Sequence, residues 1–505
     1  FSSRRRHTRY GTVTGVQTCA LPISGGETEP VVNPANNRDT VGEVKLTVAA
    51  DIEKALAEAH RYQVTWDGVP ASERAAALER AASQLEDNMP QFMVLLTREA
   101  GKTLEDGIAE IREAVDFLRY YAYQARIGFE HARELPGPTG ERNELSLHGR
   151  GVFVCISPWN FPLAIFLGQV SAALAAGNTV IAKPAEATPL VAYRAVELLH
   201  EAGIPRAALQ LLPGYGKEVG DVLMADRRVA GVAFTGSTLT ARHINLALAR
   251  REGPLATLIA ETGGQNAMLV DSSALPEQVV KDVIASAFHS AGQRCSALRV
   301  LFLQTDIADK IIEMLAGAME ELVVGDPRWL KTDVGPIIDE KARRKLQAHV
   351  KRMESEAKLL ARASSGEESL GYFIAPCAFE IESLQQLEDE VFGPILHVIR
   401  YHSGEIDRII EGINATGYGL TLGVHSRVDR FQMYVANRVR AGNRYINRTM
   451  TGAVVGVQPF GGEGLSGTGP KAGGPHYLLR FATERTLTTN TAAVGGNASL
   501  LAMED

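Results

Sequence analysis

The sequence predicts an α/β protein with two parallel-sheet domains and a projecting β flap. Two observations carry this. Strand-like and helix-like runs alternate from Gly151 to Glu261 and again from Ala267 onward, the order that βαβ units require. The polar and glycine-containing motifs fall where those strands end, which is where open parallel sheets bind ligands.

The elements follow in order. Residues 29–42 offer short strands with turn residues between them, and helical periodicity fills 50–63, 71–88, 89–99 and 104–126. A polar stretch with proline and glycine, 135–144, reads as a loop leading into a projecting strand at 145–148. Strands are predicted at 151–156, 179–182, 209–212 and 229–234, with helices at 163–176, 189–202 and 217–224 between them. The second alternation places strands at 267–270 and 299–303 and helices at 276–290 and 307–322. Residues 458–475 hold seven glycines but little serine and lie between strand-like runs, so they read as a structured loop rather than a flexible linker. The small, polar tail 492–505 reads as an extended arm.

Composition narrows the function. The 505 residues include 45% apolar and 22% charged side chains, enough for more than one core, and a net charge of −7 gives no footprint for nucleic acid. Four cysteines without paired spacing (Cys19, Cys155, Cys295 and Cys377) form neither a disulfide framework nor a metal pattern. They suit a reducing compartment, and a cytoplasmic location is expected. No charge appears between Arg150 and Lys183, yet prolines, glycines and amides interrupt the run well short of the roughly 20 residues a bilayer needs. It reads as a buried strand followed by a buried helix. Residues 1–24 show no periodicity and resemble translated sequencing-adapter read-through, so they are set aside and the natural N-terminus is expected to be missing.

Several side chains have the chemistry of a site. Cys295 can serve as a nucleophile if a cation, helix N-terminus or base stabilises its thiolate, and Arg294 is its sequence neighbour. His289 is expected on another helical face. Glu261, at a strand end before a glycine turn, is placed to act as a general base on water. Asn160, between Pro158 and Pro162, is either a turn residue or a donor to a developing oxyanion. Lys183 and Glu186 can grip the hydroxyls of a ribose, and the carboxylate would repel a 2′-phosphate, which favours NAD over NADP. Thr235-Gly236-Ser237 can offer backbone N–H groups to a pyrophosphate.

Taken in order, 158–162, 183–189, 234–237, 261–264, 292–295, 390–394 (EVFGP) and 459–462 (PFGG) resemble the aldehyde dehydrogenase superfamily over residues 29–490. The resemblance implies a Rossmann-type NAD domain, a second α/β catalytic domain and a β oligomerisation flap. It also implies that Cys295 is the nucleophile, Glu261 the base for thioester hydrolysis and Asn160 an oxyanion donor. Lys183, Glu186, Ser157, Trp159, Gly236, Ser237, Glu390 and Phe392 are then the NAD contacts. Ala241 stands where many members of the superfamily have glycine.

Within the superfamily the chain is similar to the L-glutamate γ-semialdehyde dehydrogenase module of bacterial proline utilization A, on residues 294–297, 452–460, 467–475 and 495–501. That similarity assigns the substrate's carboxylate to Ser296 and the amides of Gly452 and Ala453, its stem to Phe161 and Phe460, and a further contact to Arg294. It implies NAD-dependent oxidation of L-glutamate γ-semialdehyde to L-glutamate through a Cys295 thioester, with no metal. Members of this kind carry an upstream FAD-dependent proline dehydrogenase domain, expected to be missing here, and a homo-oligomer is expected. The rivals are another aldehyde as substrate and a non-catalytic protein on the same fold. The expected division is 25–137 with 151–261 for NAD, 262–445 for catalysis, 138–150 with 481–491 for the flap, 446–480 for the substrate anchor and glycine-rich loop, and 492–505 for the arm.

Overall fold

The computed structural model describes residues 26–364 and 370–494, so the N-terminal stretch, Cys19 and the motif 495–501 lie outside the described residues. The chain opens with an antiparallel hairpin, β1 (Thr28–Asn33) and β2 (Asn36–Lys45). Four helices follow: α1 (Ala49–Asp67), α2 (Ala71–Asp87), α3 (Met89–Ala100) and α4 (Leu104–Phe129). Gly101, at φ 66°, ends α3 in the left-handed conformation that glycine adopts without strain. Thr103 then caps α4, its hydroxyl accepting from the Asp106 N–H at 3.3 Å.

Between the helices and the first large sheet come β3 (Arg133–Leu135) and β4 (Glu141–Gly149). The strand is longer than the expected 145–148 and takes in part of the expected loop. The cause is remote: β19 (Ala482–Asn490) pairs antiparallel with β4 along its whole length, from Gly149↔Ala482 to Glu141↔Asn490. Local pattern cannot reveal a partner so far along the chain. The sheet order is β19-β4-β3.

The first large sheet contains β5 (Val152–Ile156), β6 (Thr179–Lys183), β7 (Leu209–Leu211), β8 (Val229–Gly236) and β9 (Thr257–Thr262). They run parallel in the order β7-β6-β5-β8-β9. The crossovers are α5 (Ala164–Ala175), α6 (Pro189–Glu201), α7 (Asp221–Ala225) and α8 (Thr238–Arg250). The helix expected at 217–224 is split, a π turn at Gly216–Gly220 running into α7. The uncharged stretch is explained by α5, which is buried along nearly its whole length between the sheet and α4. Among the described residues no helix is long and apolar enough to cross a membrane. Strand order reverses between β5 and β8, which opens a crevice at their carboxyl ends.

The second sheet has seven strands. In chain order it is built from β10 (Ala267–Val270), α9 (Pro276–Phe288), β11 (Val300–Gln304), α10 (Thr305–Glu320), α11 (Glu340–Glu356), β12 (Lys358–Arg362), β13 (Cys377–Glu380), β14 (Ile395–Tyr401) and α12 (Ile406–Ala415). The two-residue β15 (Tyr418–Gly419) pairs with β18 (Glu463–Gly464), while β16 (Thr421–His425), α13 (Asp429–Arg438) and β17 (Asn443–Ile446) complete the sheet. Its order is β12-β13-β14-β11-β10-β16-β17, parallel except for β12 against β13. Each large sheet packs its own apolar core.

One departure matters for the site. The helix expected to reach Ser290 stops at Phe288, because Ser290 and Ala291 turn left-handed at φ 54° and 52°. Two consecutive non-glycine residues there are strained and persist only where their surroundings impose it. The kink breaks the helical relation between His289 and Cys295. At the other end of the chain, residues 491–494 form a short 3₁₀ turn rather than an arm, and the rest of that segment lies outside the described residues.

Candidate active site

The segment holding Cys295 is fixed through its carbonyls. Asn266, before β10, donates its side-chain amide to the Cys295 carbonyl at 2.6 Å and to Ala297 at 2.9 Å. The fully buried Arg299 guanidinium donates to the carbonyls of Gly292 at 2.6 Å and Arg294 at 2.8 Å. Asn160 Nδ2 reaches the Gln293 carbonyl at 2.9 Å, so the first sheet's β5 loop is joined to the Cys295 segment. Burial, Glu390 and Glu261 push the Cys295 thiol up to about 12, and Arg299 opposes them. Arg294 is not its counter-charge: its guanidinium turns to Asp106 at 2.6 Å and Ser290 Oγ at 2.9 Å. The cation that favours the thiolate is Arg299, which is not the sequence neighbour. Cys155 and Cys377 are buried, and desolvation pushes both thiols up.

Glu261 is carried on β9, where a bridge to Gly467 holds its backbone. The Gly462 N–H donates to Oε2 at 3.2 Å, while the buried Oε1 has no hydrogen-bond partner. Burial pushes its carboxyl up to about 8, against the pull of the Gly462 N–H and Lys471. The PFGG turn must approach closely, since a Cβ on Gly461 would lie 2.9 Å from Oε1.

Cys295 and Glu261 line one cavity of about 370 Å³. Phe161, Arg294, Ser296, Gly452, Ala453 and Phe460, the residues expected to hold substrate, line it too. Sequence reasoning missed a third wall, the face of α4 with Asp106, Glu110, Glu113 and Phe117. Lys102 pairs with the buried Glu110 at 3.1 Å and sits 4.2 Å over the Phe161 ring. Glu110 also accepts the Leu163 N–H at 2.9 Å. Burial works against ionisation of Asp106, yet Arg294 and Lys102 hold it below the usual range. Burial and Glu110 push Glu113 up to about 7. The missed signal was the spacing of Asp106, Glu110 and Glu113, which puts three acids in one stripe of a helix.

The remaining predicted residues gather at the carboxyl ends of the first sheet. Lys183, buried at the end of β6, donates to Glu186 Oε1 at 3.0 Å and to the Pro184 carbonyl at 3.1 Å. The Ser157 N–H reaches the Lys183 carbonyl at 3.3 Å. Ser237 caps α8 by accepting the Thr240 N–H at 3.1 Å, and Gly236 precedes it on β8. The other N–H groups of that first turn have no partner within the helix. Ala241, in the first turns of α8, packs against the core. From the second sheet, Glu390 meets Arg299 at 3.1 Å, and Phe392 packs edge-on to Trp159 with centroids 5.7 Å apart. A lysine–glutamate pair, a helix N-terminus and an aromatic pair along one crevice fit a dinucleotide. Among the described residues no cluster is arranged to hold a metal ion.

Residues 23–487 match the model of the Aldehyde dehydrogenase family. The chain belongs to that family. It is 52% identical over 473 residues to the bifunctional protein PutA of Klebsiella aerogenes, covering 92% of this chain and 35% of that protein. This aldehyde dehydrogenase thus spans about a third of the length of that relative. It is 36% identical over 466 residues to a 1-pyrroline-5-carboxylate dehydrogenase of Geobacillus thermodenitrificans, covering 90% of this chain and 89% of that one. Among solved structures, a 1-pyrroline-5-carboxylate dehydrogenase from Thermus with bound NAD superposes with a TM-score of 0.88 at 35% identity, over 92% of this chain and 91% of that one.

Proposed function

We propose that this chain oxidises L-glutamate γ-semialdehyde to L-glutamate with NAD, through a thioester on Cys295. The observation that carries the reading is a single cavity lined by Cys295, Glu261 and the expected carboxylate anchor Ser296, Gly452 and Ala453. The relatives named for 1-pyrroline-5-carboxylate support the substrate class.

The chemistry follows from the side chains. Cys295 loses its proton to solvent water and its thiolate adds to the aldehyde carbon, while its own N–H and the Asn160 amide stabilise the oxyanion. Lys183 and Glu186 hold the adenosine ribose, the first turn of α8 the pyrophosphate, and Glu390 and Phe392 the second ribose; the Glu186 carboxylate disfavours a 2′-phosphate. NAD bound there supplies the hydride acceptor. Glu261 then takes a proton from water, which attacks the thioester and releases the acid, and passes that proton to the departing Cys295 sulfur. A group pushed up to about 8 is well matched to that work near neutral pH. Phe161 and Phe460 flank the substrate's stem. In a longer protein of the proline utilization A kind, an upstream FAD-dependent proline dehydrogenase domain supplies the aldehyde. We place the enzyme in the cytoplasm, as an oligomer that uses the β4–β19 sheet.

NADH absorbance tests the reading. The purified chain reduces NAD with L-glutamate γ-semialdehyde, and Cys295→Ala brings the rate to background while Cys155→Ala does not. An uncharged aldehyde of equal length loses about 10²-fold or more in kcat/KM, because the anchoring donors are left unpaired. Near wild-type turnover by Cys295→Ala, or no preference for the charged aldehyde, overturns it.

A further inference from the structure

We infer that Lys471 is a positioning residue for the hydrolytic half of the reaction: it ties the turn that holds Glu261 to the second sheet and places a cation beside that carboxylate. The inference rests on the function proposed above and concerns a residue outside its assigned machinery.

The geometry is a chain of hydrogen bonds. Lys471 Nζ donates to the Gly442 carbonyl and, at 3.3 Å, to Asn443 Oδ1 at the start of β17. The same Oδ1 accepts the Gly461 N–H at 3.2 Å, and Asn443 Nδ2 donates to the Pro459 carbonyl at 3.0 Å. Asn443 therefore holds both ends of the Pro459–Gly461 segment, and Lys471 holds Asn443. The next residue, Gly462, makes the hydrogen bond to Glu261 Oε2. On the other side of Lys471, Ala472 exchanges backbone hydrogen bonds with Phe460 at 2.8 and 2.9 Å. The turn that grips the base is thus fixed through the lysine side chain and through its neighbour's backbone.

The charge acts in the same place. The groups that face Glu261 are the Cys295 thiol, the Tyr477 hydroxyl and the Lys471 ammonium. The first two are pushed up by burial and stay neutral, so Lys471 supplies the charge that favours the carboxylate. Lys471 is half-buried and also feels Arg444 and Glu463. Partial burial makes its attraction for a carboxylate stronger than the same pair would have in water. Water attacking the thioester needs Glu261 unprotonated. Adding the aldehyde to Cys295 does not need the Lys471 charge.

The test separates the two half-reactions. Enzyme is mixed with NAD and L-glutamate γ-semialdehyde, quenched in acid, and the acyl adduct on Cys295 followed by intact mass across pH. In Lys471→Met the adduct forms within about twofold of the wild-type rate. It decays about tenfold more slowly at pH 7, with the pH midpoint for decay about one unit higher, the equivalence of one pKa unit to tenfold in rate. Lys471→Arg moves the midpoint back, and Lys471→Gln repeats the methionine result if that variant does not fold. A midpoint that does not move, or formation and decay slowed together, overturns the inference alone. No adduct on wild-type Cys295 overturns the functional reading and the inference with it.

Discussion

Two buried glutamates, one in each of two regions, teach different lessons from the same perturbation. Burial pushes both Glu99 and Glu261 up to about 8. Glu99, at the end of α3, accepts the N–H groups of Leu190 at 2.6 Å and Val191 at 2.8 Å, so both oxygens close the start of α6. That helix begins at Pro189, which has no N–H of its own to satisfy. Glu261 accepts one N–H, leaves Oε1 without a partner and lines the cavity that Cys295 also lines. A shifted pKa alone does not mark a site. A spare lone pair facing a cavity does.

The largest expected effect breaks or confirms that contrast at once. Glu261→Gln lowers steady-state turnover by about 10²–10⁴-fold, the usual worth of a general base, while acyl-Cys295 persists. The same protein unfolds at an unchanged or higher temperature, since a strained buried acid has been removed. Hydrolysis at the wild-type rate would return Glu261 to the same class as Glu99. Glu99→Ala does the reverse, keeping kcat within about twofold and losing about 2 kcal/mol in urea unfolding, because two helix N–H groups lose their acceptor. A large loss of kcat with unaltered stability would refute its capping role.

The smallest effect is a pH slope. Each glutamate keeps its proton in the folded protein up to about 8, whereas the unfolded chain releases it near the ordinary 4.5. Stability therefore falls as pH rises between these values. Glu99→Gln and Glu261→Gln each flatten part of the decline, measured as the unfolding midpoint at a series of pH values. A slope left unchanged in both variants would mean that neither carboxyl is held protonated.

What the sequence made legible was whatever local pattern determines. The strand ends carrying Lys183, Ser237 and Glu261 follow from the alternation of strand and helix, and motif order pointed to Cys295 and Asn160. What it hid depends on partners distant along the chain. Periodicity marks α4 as a helix without saying what covers its acids, and Glu110 is buried because Lys102 and the start of α5 meet it. Arg299 reads only as the start of a strand, yet it joins the Cys295 segment to Glu390. Arg294 lines the cavity, but its guanidinium is turned to Asp106. The kink at Ser290 was invisible because neither residue in it is glycine.

The bond from Gly462 to Glu261 closes a span of 201 residues. A ribosome therefore releases Glu261 and Cys295 long before the loop that holds the Glu261 carboxylate. Until that loop arrives, the acid is a hydrated carboxylate and the thiol lacks a working partner. That grip on Glu261 forms late, and the still later β19 then pairs with β4.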